Sequence, residues 1–299
     1  NGKLCAALLT KAPEIKKIRV LLGTEGYRGY YHETVEFTAD CGYTVAVEEE
    51  KKHFAAGERC SLSAKDFNEE QGRRVVTPDN VDGKISVLSI KRAGGTPAYR
   101  GTLEIEAREE GLLLVNEVTM EEYLYAVLPS EMPSTFGAEA LKAQAICARS
   151  YAYTELLANR YAAYGAHVDD STACQGYNNT PEAEEAILAV KETHGQGLFH
   201  GGEVAQCYYY STSSGHTAAA EDVWENAEAV PYLQAKESGY DSESPWYRWQ
   251  TFLSLEALTA RVEATLKERN RVVPEQILTY DEETASYVSE PIADLGKLK

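Results

Sequence analysis

Glu131 stands in the run LPSEMPSTF, with Pro129 two residues before it and Pro133 two residues after it. Each proline pushes the residue ahead of it out of the helical region, so the carboxyl group is expected on a stiff corner. Partial burial among Leu128, Met132 and Phe136 would raise its pKa and suit it to give and take a proton near neutral pH. A second use is open to it, as acceptor of backbone N–H groups near the start of the next helix. Further along, Lys142 and Arg149 are seven residues apart and Tyr153 follows four later. On a helix this places the two cations roughly 10 Å apart on one side, where they form either a solvated face or a pair that orients a bound group. A third cluster, Tyr210, Ser211, Thr212, Ser213, Ser214, Gly215 and His216, offers a ring, several hydroxyls and exposed backbone donors on a small-residue loop.

Two helices joined by a short turn must position Glu131. Thr119 with Glu122 three residues on has the capping-box spacing, which starts the first helix. That helix is expected to stop just before Pro129, leaving Glu131 in neither helix. In the second helix Leu141, Ala145, Ala148, Ala152 and Leu156 make an apolar stripe, and the many alanines suit close packing. Before these helices the chain reads mostly as strands, in the segments IRVLLGTEGYRGYYHETVEFTA, GYTVAVEE, KISVLSIKRA and GTLEIEAREEGLLLVNEV. Residues 57–82 carry charge and few apolar side chains and are expected to be a loop or peripheral insertion. After the second helix, NRYAAYGAHVDDSTACQGYNNT reads as a long loop of the kind that is usually functional. A helix from Pro181 to about Gly195, a strand GEVAQCYYYST and an amphipathic helix from Leu253 follow. The end, from Val273 to Lys299, resembles strands and turns.

With 299 residues, 43% of them hydrophobic, the chain can bury a large core. Its 29 basic residues against 47 acidic ones give a formal net charge of −18, which argues against binding nucleic acid or anionic lipid without specificity. Twenty tyrosines against six phenylalanines fit either a tyrosine-rich core or rings lining a wet cleft. No apolar run approaches the roughly 20 residues of a membrane span. The six cysteines, Cys5, Cys41, Cys60, Cys147, Cys174 and Cys207, contain no CxxC pair. Cys147, among alanines in the second helix, is expected to be a buried free thiol. Cys41 with Cys60 is the first pair to examine for a disulfide.

The run LPSEMPSTFGAEALKAQAICARSYAY resembles the signature of the SpoIID/LytB family of peptidoglycan lytic transglycosylases from spore-forming bacteria. YYYSTSSGHTAAAEDVW, from Tyr208 to Trp224, is similar to the family's second diagnostic segment, and VPYLQ follows from Val230 as it does there. The resemblance is specific from about Asn116 to Asp241. It implies an α+β fold, a single large domain in which residues 1–116 form a β-rich part, 117–241 the catalytic core lining a groove, and 242–299 a C-terminal helix and strands. By the same resemblance Glu131 is the catalytic acid/base. In such enzymes the 6-hydroxyl of N-acetylmuramic acid attacks its own anomeric carbon and a 1,6-anhydro ring closes. One carboxyl can then serve where most glycosidases need two.

Lys142 and Arg149 match basic positions of the family helix, and the resemblance implies that Arg149 lies in the substrate cleft. Gln175, Tyr177, Tyr210, Ser211, Ser213, Gly215 and His216 are the further expected substrate contacts, Tyr210 by stacking on a sugar ring and His216 as a contact and not a catalyst. The loop with Gln175 and Tyr177 resembles a segment in which some members hold zinc. Here His167 and Cys174 remain, but Asp169, Asp170 and Ala173 stand where further Cys or His ligands are expected, a poor zinc set. No metal or cofactor is expected. The implied partners are peptidoglycan glycan strands, stripped of peptides by a cell-wall amidase, with other sporulation proteins. The implied location is extracytoplasmic, by secretion or by anchoring through an N-terminal segment absent from this sequence. The alternative is an inactive glycan-binding or scaffolding module of the same machinery. A metal-dependent hydrolase using His167, Asp169, His194 and His200 lacks any HxxxH spacing.

Overall fold

Alternation of apolar and polar side chains through the first third of the chain becomes strands. A computed structural model describes residues 7–9, 17–48, 50–67, 72–224, 228–272, 278–281 and 286–289. In chain order come β1 (Ala7–Leu9), β2 (Lys17–Leu21), β3 (Thr34–Ala39), β4 (Tyr43–Val47), β5 (Glu50–Phe54), β6 (Cys60–Ser63), β7 (Arg73–Pro78), β8 (Ile85–Val87), β9 (Ala98–Tyr99), β10 (Thr102–Arg108) and β11 (Gly111–Thr119). The hairpin β10–β11, with Thr102 opposite Glu117 and Arg108 opposite Gly111, lies at the centre of a seven-stranded sheet. Its order is β12-β2-β11-β10-β7-β4-β5, where β12 (Val168–Asp169) runs parallel to β2. A smaller sheet has the order β6-β3-β8-β9. With the helices below, these strands make the α+β class expected from the sequence.

Residues 57–82 are not a peripheral insertion. They contain β6 and β7, and β7 pairs with both β4 and β10 inside the large sheet. The charges mislead because they alternate with apolar positions: Val76 is fully buried, while Arg74 lays its guanidinium over the Phe67 ring at 4.6 Å. Cys41 and Cys60 are both free thiols, so the disulfide considered for them is not formed. Cys5 lies outside the described residues.

Helix α1 (Met120–Glu131) follows β11 directly. Thr119 caps it, its hydroxyl accepting from the Glu122 N–H at 3.3 Å and donating to the Glu122 carboxylate at 2.7 Å. Contrary to expectation, α1 runs through Pro129 and ends on Glu131 itself. Proline removes the donor that the Tyr125 carbonyl would use, but the turn survives because Ser130 donates its hydroxyl to the Ala126 carbonyl at 2.8 Å and Met132 its N–H to Leu128 at 2.8 Å. The second proline is what ends the helix, since Met132 before Pro133 is extended.

Helix α2 (Ala138–Ala158) starts after Gly137, whose φ of +93° a residue with a Cβ rarely adopts. Its stripe Leu141, Ala145, Ala148 and Ala152 is wholly buried, as the spacing predicts, and Leu156 is partly so. Helix α3 (Glu184–Glu192) and the hairpin of β13 (Gly197–His200) with β14 (Glu203–Val204) follow. The strand expected through GEVAQCYYYST ends at Val204.

The chain forms two compact units, one of Asn1–Ser211 with Ala219–Gln234, the other of Thr212–Ala218 with Ala235–Lys299. No division falls near residue 116, because β11 and β2 share one sheet and α1 grows from β11. The first unit also carries α4 (Ala220–Val223); the second carries α5 (Leu255–Val272) and the hairpin of β15 (Leu278–Asp281) with β16 (Ser286–Ser289). Ser254 accepts the Ala257 N–H at the start of α5. The rest of the expected C-terminal strands and turns, at 273–277, 282–285 and 290–299, lies outside the described residues.

Candidate active site

At the C-terminal end of α1 the Glu131 carboxylate turns onto the long loop after α2. Its Oε1 accepts the Gly176 N–H at 2.5 Å. A Cβ on Gly176 would stand 3.2 Å from that oxygen and 3.5 Å from Ser130 Cβ, so the approach favours glycine. Ser130 ties the same loop from beside Glu131, its hydroxyl accepting the N–H groups of Asn179 and Thr180 at 3.1 Å each. Burial pushes the Glu131 carboxyl above the ordinary carboxylate range, and the Gly176 N–H pulls against it. Phe136, expected among its shielding neighbours, is 64% exposed; Leu128 is buried and Met132 partly so. Tyr209 lies near enough that the Glu131 charge raises its pKa, although burial is the larger cause.

Arg149 is not in an open cleft. It is fully buried, and its guanidinium meets Glu121 of α1 in two bonds, Nε to Oε1 at 2.9 Å and Nη2 to Oε2 at 2.7 Å. Nη1 donates to the Gln196 carbonyl at 2.9 Å and the Ala145 carbonyl at 3.5 Å, and Nη2 also reaches the Val190 carbonyl at 3.4 Å. Its donors are thus committed inside the protein, and the substrate-cleft position that the resemblance implied for it is not the one it occupies. Lys142 lies on the helix surface between two carboxylates, Glu139 at 2.9 Å and Glu192 at 2.7 Å. Those bonds, Glu192 foremost, raise its pKa.

Gln175 and Tyr177 are 1% exposed each. The Gln175 amide donates to the Tyr209 hydroxyl at 2.9 Å and to the Ala148 carbonyl at 3.4 Å, and its oxygen accepts from Tyr123 at 3.1 Å. Tyr177 donates to the Asn116 side chain at 2.6 Å, with its ring between those of Tyr99 and Tyr123 at 5.7 and 5.0 Å. Both therefore hold the loop that carries Gly176, and neither offers a free polar group to a substrate. This tyrosine cluster belongs to the core. Tyr210 does project, at 61% exposure, and Ser211 beside it is exposed. Tyr208 is also exposed and packs its ring against Trp224 at 4.4 Å.

In the second unit the loop Thr212–Ala218 is braced by the segment after Ala235. Ser213 is buried; both its N–H and its hydroxyl bond to Asp241, at 2.7 and 2.8 Å, holding that carboxyl below the ordinary range. Its hydroxyl is thus a brace, not a displayed contact. Gly215 has φ +107°, with the Tyr247 hydroxyl 3.0 Å from where a Cβ would sit. His216 is exposed and forms a bridge with Glu237.

The residues weighed for zinc have other partners. His167 accepts the Arg19 N–H on Nδ1 at 3.1 Å. Asp169 takes the Tyr30 and Ser171 hydroxyls at 2.8 and 2.9 Å. Asp170, fully buried, pairs with Arg92 at 2.5 Å and accepts the Gly23 N–H at 2.9 Å. Burial pushes the Cys174 thiol up to about 11, far from the thiolate a metal needs. Among the described residues no three His, Cys, Asp or Glu side chains gather as a metal-binding group. His194 and His200 are both exposed, and His200 packs against Tyr232 at 5.0 Å.

Three site residues escape a reading of the sequence: Gly176, Glu121 and Tyr209. Gly176 lies between Gln175 and Tyr177, so its neighbours were the signal. Glu121 is 28 positions from Arg149, and no local spacing joins them.

Comparisons with known proteins cover this same region. Residues 108–200 match the family model described as SpoIID, stage II sporulation protein. Stage II sporulation protein D of Bacillus subtilis is 34% identical over 200 residues, 59% of this chain and 58% of that protein. The amidase enhancer of the same organism is 36% identical over 138 residues, 46% of this chain and 18% of its own length. Stage II sporulation protein D of Bacillus amyloliquefaciens is 33% identical over 147 residues, 44% of this chain and 42% of that protein. The chain thus spans less than two thirds of each of these relatives.

Proposed function

We propose, for a chain whose residues 108–200 belong to the SpoIID family, that it is a lytic transglycosylase of cell-wall glycan with Glu131 as its acid/base group. One observation carries the reading: Glu131 is half-buried, accepts the Gly176 N–H, and has its pKa raised by burial, with no cation among the described residues opposing the shift. A carboxyl so placed keeps its proton to a higher pH than an ordinary carboxyl does and can deliver it to the glycosidic oxygen between N-acetylmuramic acid and N-acetylglucosamine. The resulting carboxylate then removes the proton of the 6-hydroxyl as the anhydro ring closes. Gly176 holds one oxygen throughout and leaves the other for the substrate. Arg149, neutralised by Glu121, does not draw the carboxyl back into its charged form.

Peptide-free glycan strands are the proposed substrate and a cell-wall amidase the proposed partner that prepares them. The relative named amidase enhancer supports this link. The proposed place of action is extracytoplasmic. Among the described residues no helix is long and apolar enough to cross a membrane. Mass spectrometry of digested, peptide-free glycan tests the reaction: anhydro-sugar ends are expected, and ends carrying an added water would mean a hydrolase.

A binding module without turnover is the second reading, favoured by the exposed rings of Tyr208, Tyr210 and Trp224, which suit stacking on sugars. Glycan retained by the parent chain with no product formed would select it.

A further inference from the structure

Ahead of β9 the chain passes close to the loop that leads from Tyr177 into α3. The Gly94 N–H donates to the Asn179 carbonyl at 2.7 Å, and a Cβ on Gly94 would stand 2.7 Å from Pro181 Cδ, so the approach requires glycine. Between the two segments lies a cavity of about 80 Å³, with Lys84, Gly94, Pro97, Ala98, Asn178 and Pro181 in its lining. One water needs about 10–15 Å³, so the space admits a group the size of an acetamide.

Asn178 is 7% exposed, yet among the described residues its side-chain amide has no hydrogen-bond partner. Its backbone is left-handed, at φ +54°, a conformation that glycine would also adopt. The backbone therefore leaves the amide unexplained, and a buried amide is costly without partners. The Lys84 ammonium, also in the lining, donates to Glu182 at 2.8 Å and has further N–H groups to give. Arg100 binds both oxygens of Glu182 at 2.9 Å and reaches Asp82 at 3.4 Å. Two cations are thus met by two carboxylates, and the cavity suits a neutral group.

We propose that this cavity is a subsite for the acetamido group of an N-acetylated sugar. A secondary amide is trans, so its N–H and C=O point opposite ways and need partners on two sides. Asn178 accepts the N–H on Oδ1, Lys84 donates to the carbonyl, and the methyl packs on Pro97, Ala98 and Pro181. The group ends in its methyl, as so small a cavity requires, whereas a peptide carries the same amide but continues at both ends. Asn178 is two residues from Gly176, whose N–H holds Glu131, and two trans-peptide steps put their Cα atoms at most about 7.6 Å apart. Ser130, beside Glu131, binds the N–H groups of Asn179 and Thr180 on the same loop. The inference rests on the reading of the chain as one that handles N-acetylated cell-wall glycan, and it holds for turnover and for binding alone.

Calorimetric titration of the full chain with chitotetraose, the N-acetylglucosamine tetramer, and with cellotetraose, which has hydroxyls in place of the acetamido groups, tests it. Asn178→Gly keeps the left-handed backbone and removes the amide. It is expected to weaken chitotetraose roughly tenfold and to leave any cellotetraose binding as it is. Equal weakening of both sugars, or of neither, would overturn the subsite. A second measurement needs no variant to fold: with chitotetraose saturating the parent chain labelled on its alanines, a nuclear Overhauser contact is expected between an acetyl methyl and the Ala98 methyl. Bound chitotetraose without that contact would defeat the subsite and leave the glycan reading standing. A parent that binds neither sugar would defeat both. The same contact made by N-acetylalanine methylamide and not by chitotetraose would assign the cavity to a peptide instead.

Discussion

Arg149 of α2 and Glu121 of α1 face each other through two parallel hydrogen bonds at 2.9 and 2.7 Å, with the arginine fully buried. The pair joins the two helices that position Glu131, and it keeps a strong cation from acting on that carboxyl. Removing Glu121 leaves a buried charge without its counter-ion. Glu121→Ala is therefore expected to lower the unfolding free energy by on the order of 3 kcal/mol, read from the urea midpoint. A midpoint within 0.5 M of the parent, on a slope of about 1–3 kcal/mol/M, would be too small a shift for that role.

Glu131→Gln keeps the oxygen that accepts the Gly176 N–H but cannot donate a carboxyl proton. Activity on peptide-free glycan should fall by about 10²–10⁴-fold while glycan pull-down persists. Anhydro products formed at the parental rate would remove Glu131 from the chemistry.

Gly176→Ala places a methyl 3.2 Å from Glu131 Oε1 and so must displace the carboxyl or the loop. Misplacement near 1 Å can cost about 10²-fold in rate. The turnover number is expected to drop with little change in melting temperature, and the reverse pattern would make Gly176 a folding residue.

The raised pKa of Glu131 also has a sign in stability. Between the unfolded and folded pKa values the folded state holds a proton that the unfolded chain has released. This contribution is fully present below the unfolded pKa and is lost as pH rises through the folded one. Glu131→Gln should therefore flatten the fall of unfolding free energy over that window, as followed by urea titration across pH 4 to 7, a range of roughly ordinary to raised carboxylate pKa. Parallel curves for parent and variant would mean that the group is not shifted.

Tyr177 acts through the core. Tyr177→Phe leaves the buried Asn116 oxygen without its 2.6 Å donor and should cost about 1–3 kcal/mol of stability, with KM for glycan unchanged. A raised KM at parental stability would restore Tyr177 to the substrate contacts.

Local pattern carried the apolar stripe of α2, the cap at Thr119 and the β-rich first third, because each depends on neighbours within a few positions. It misjudged Pro129, since whether a helix survives a missing donor depends on what replaces it, and here Ser130 and Met132 do. It misjudged 57–82 because charged strand residues look like loop until their neighbouring strands are known.

By itself, the chain's order of residues determined that Met132, ahead of Pro133, would be extended and that α2 would pack through its alanines. Backbone sterics and helical periodicity act over a few residues, so they can be read in one dimension. Only the folded molecule decided that Arg149 is an internal partner of Glu121 and that Gly176 rather than a side chain holds Glu131. Those contacts join positions 28 and 45 residues apart, and desolvation and pairing at such range exist only once the chain has closed on itself.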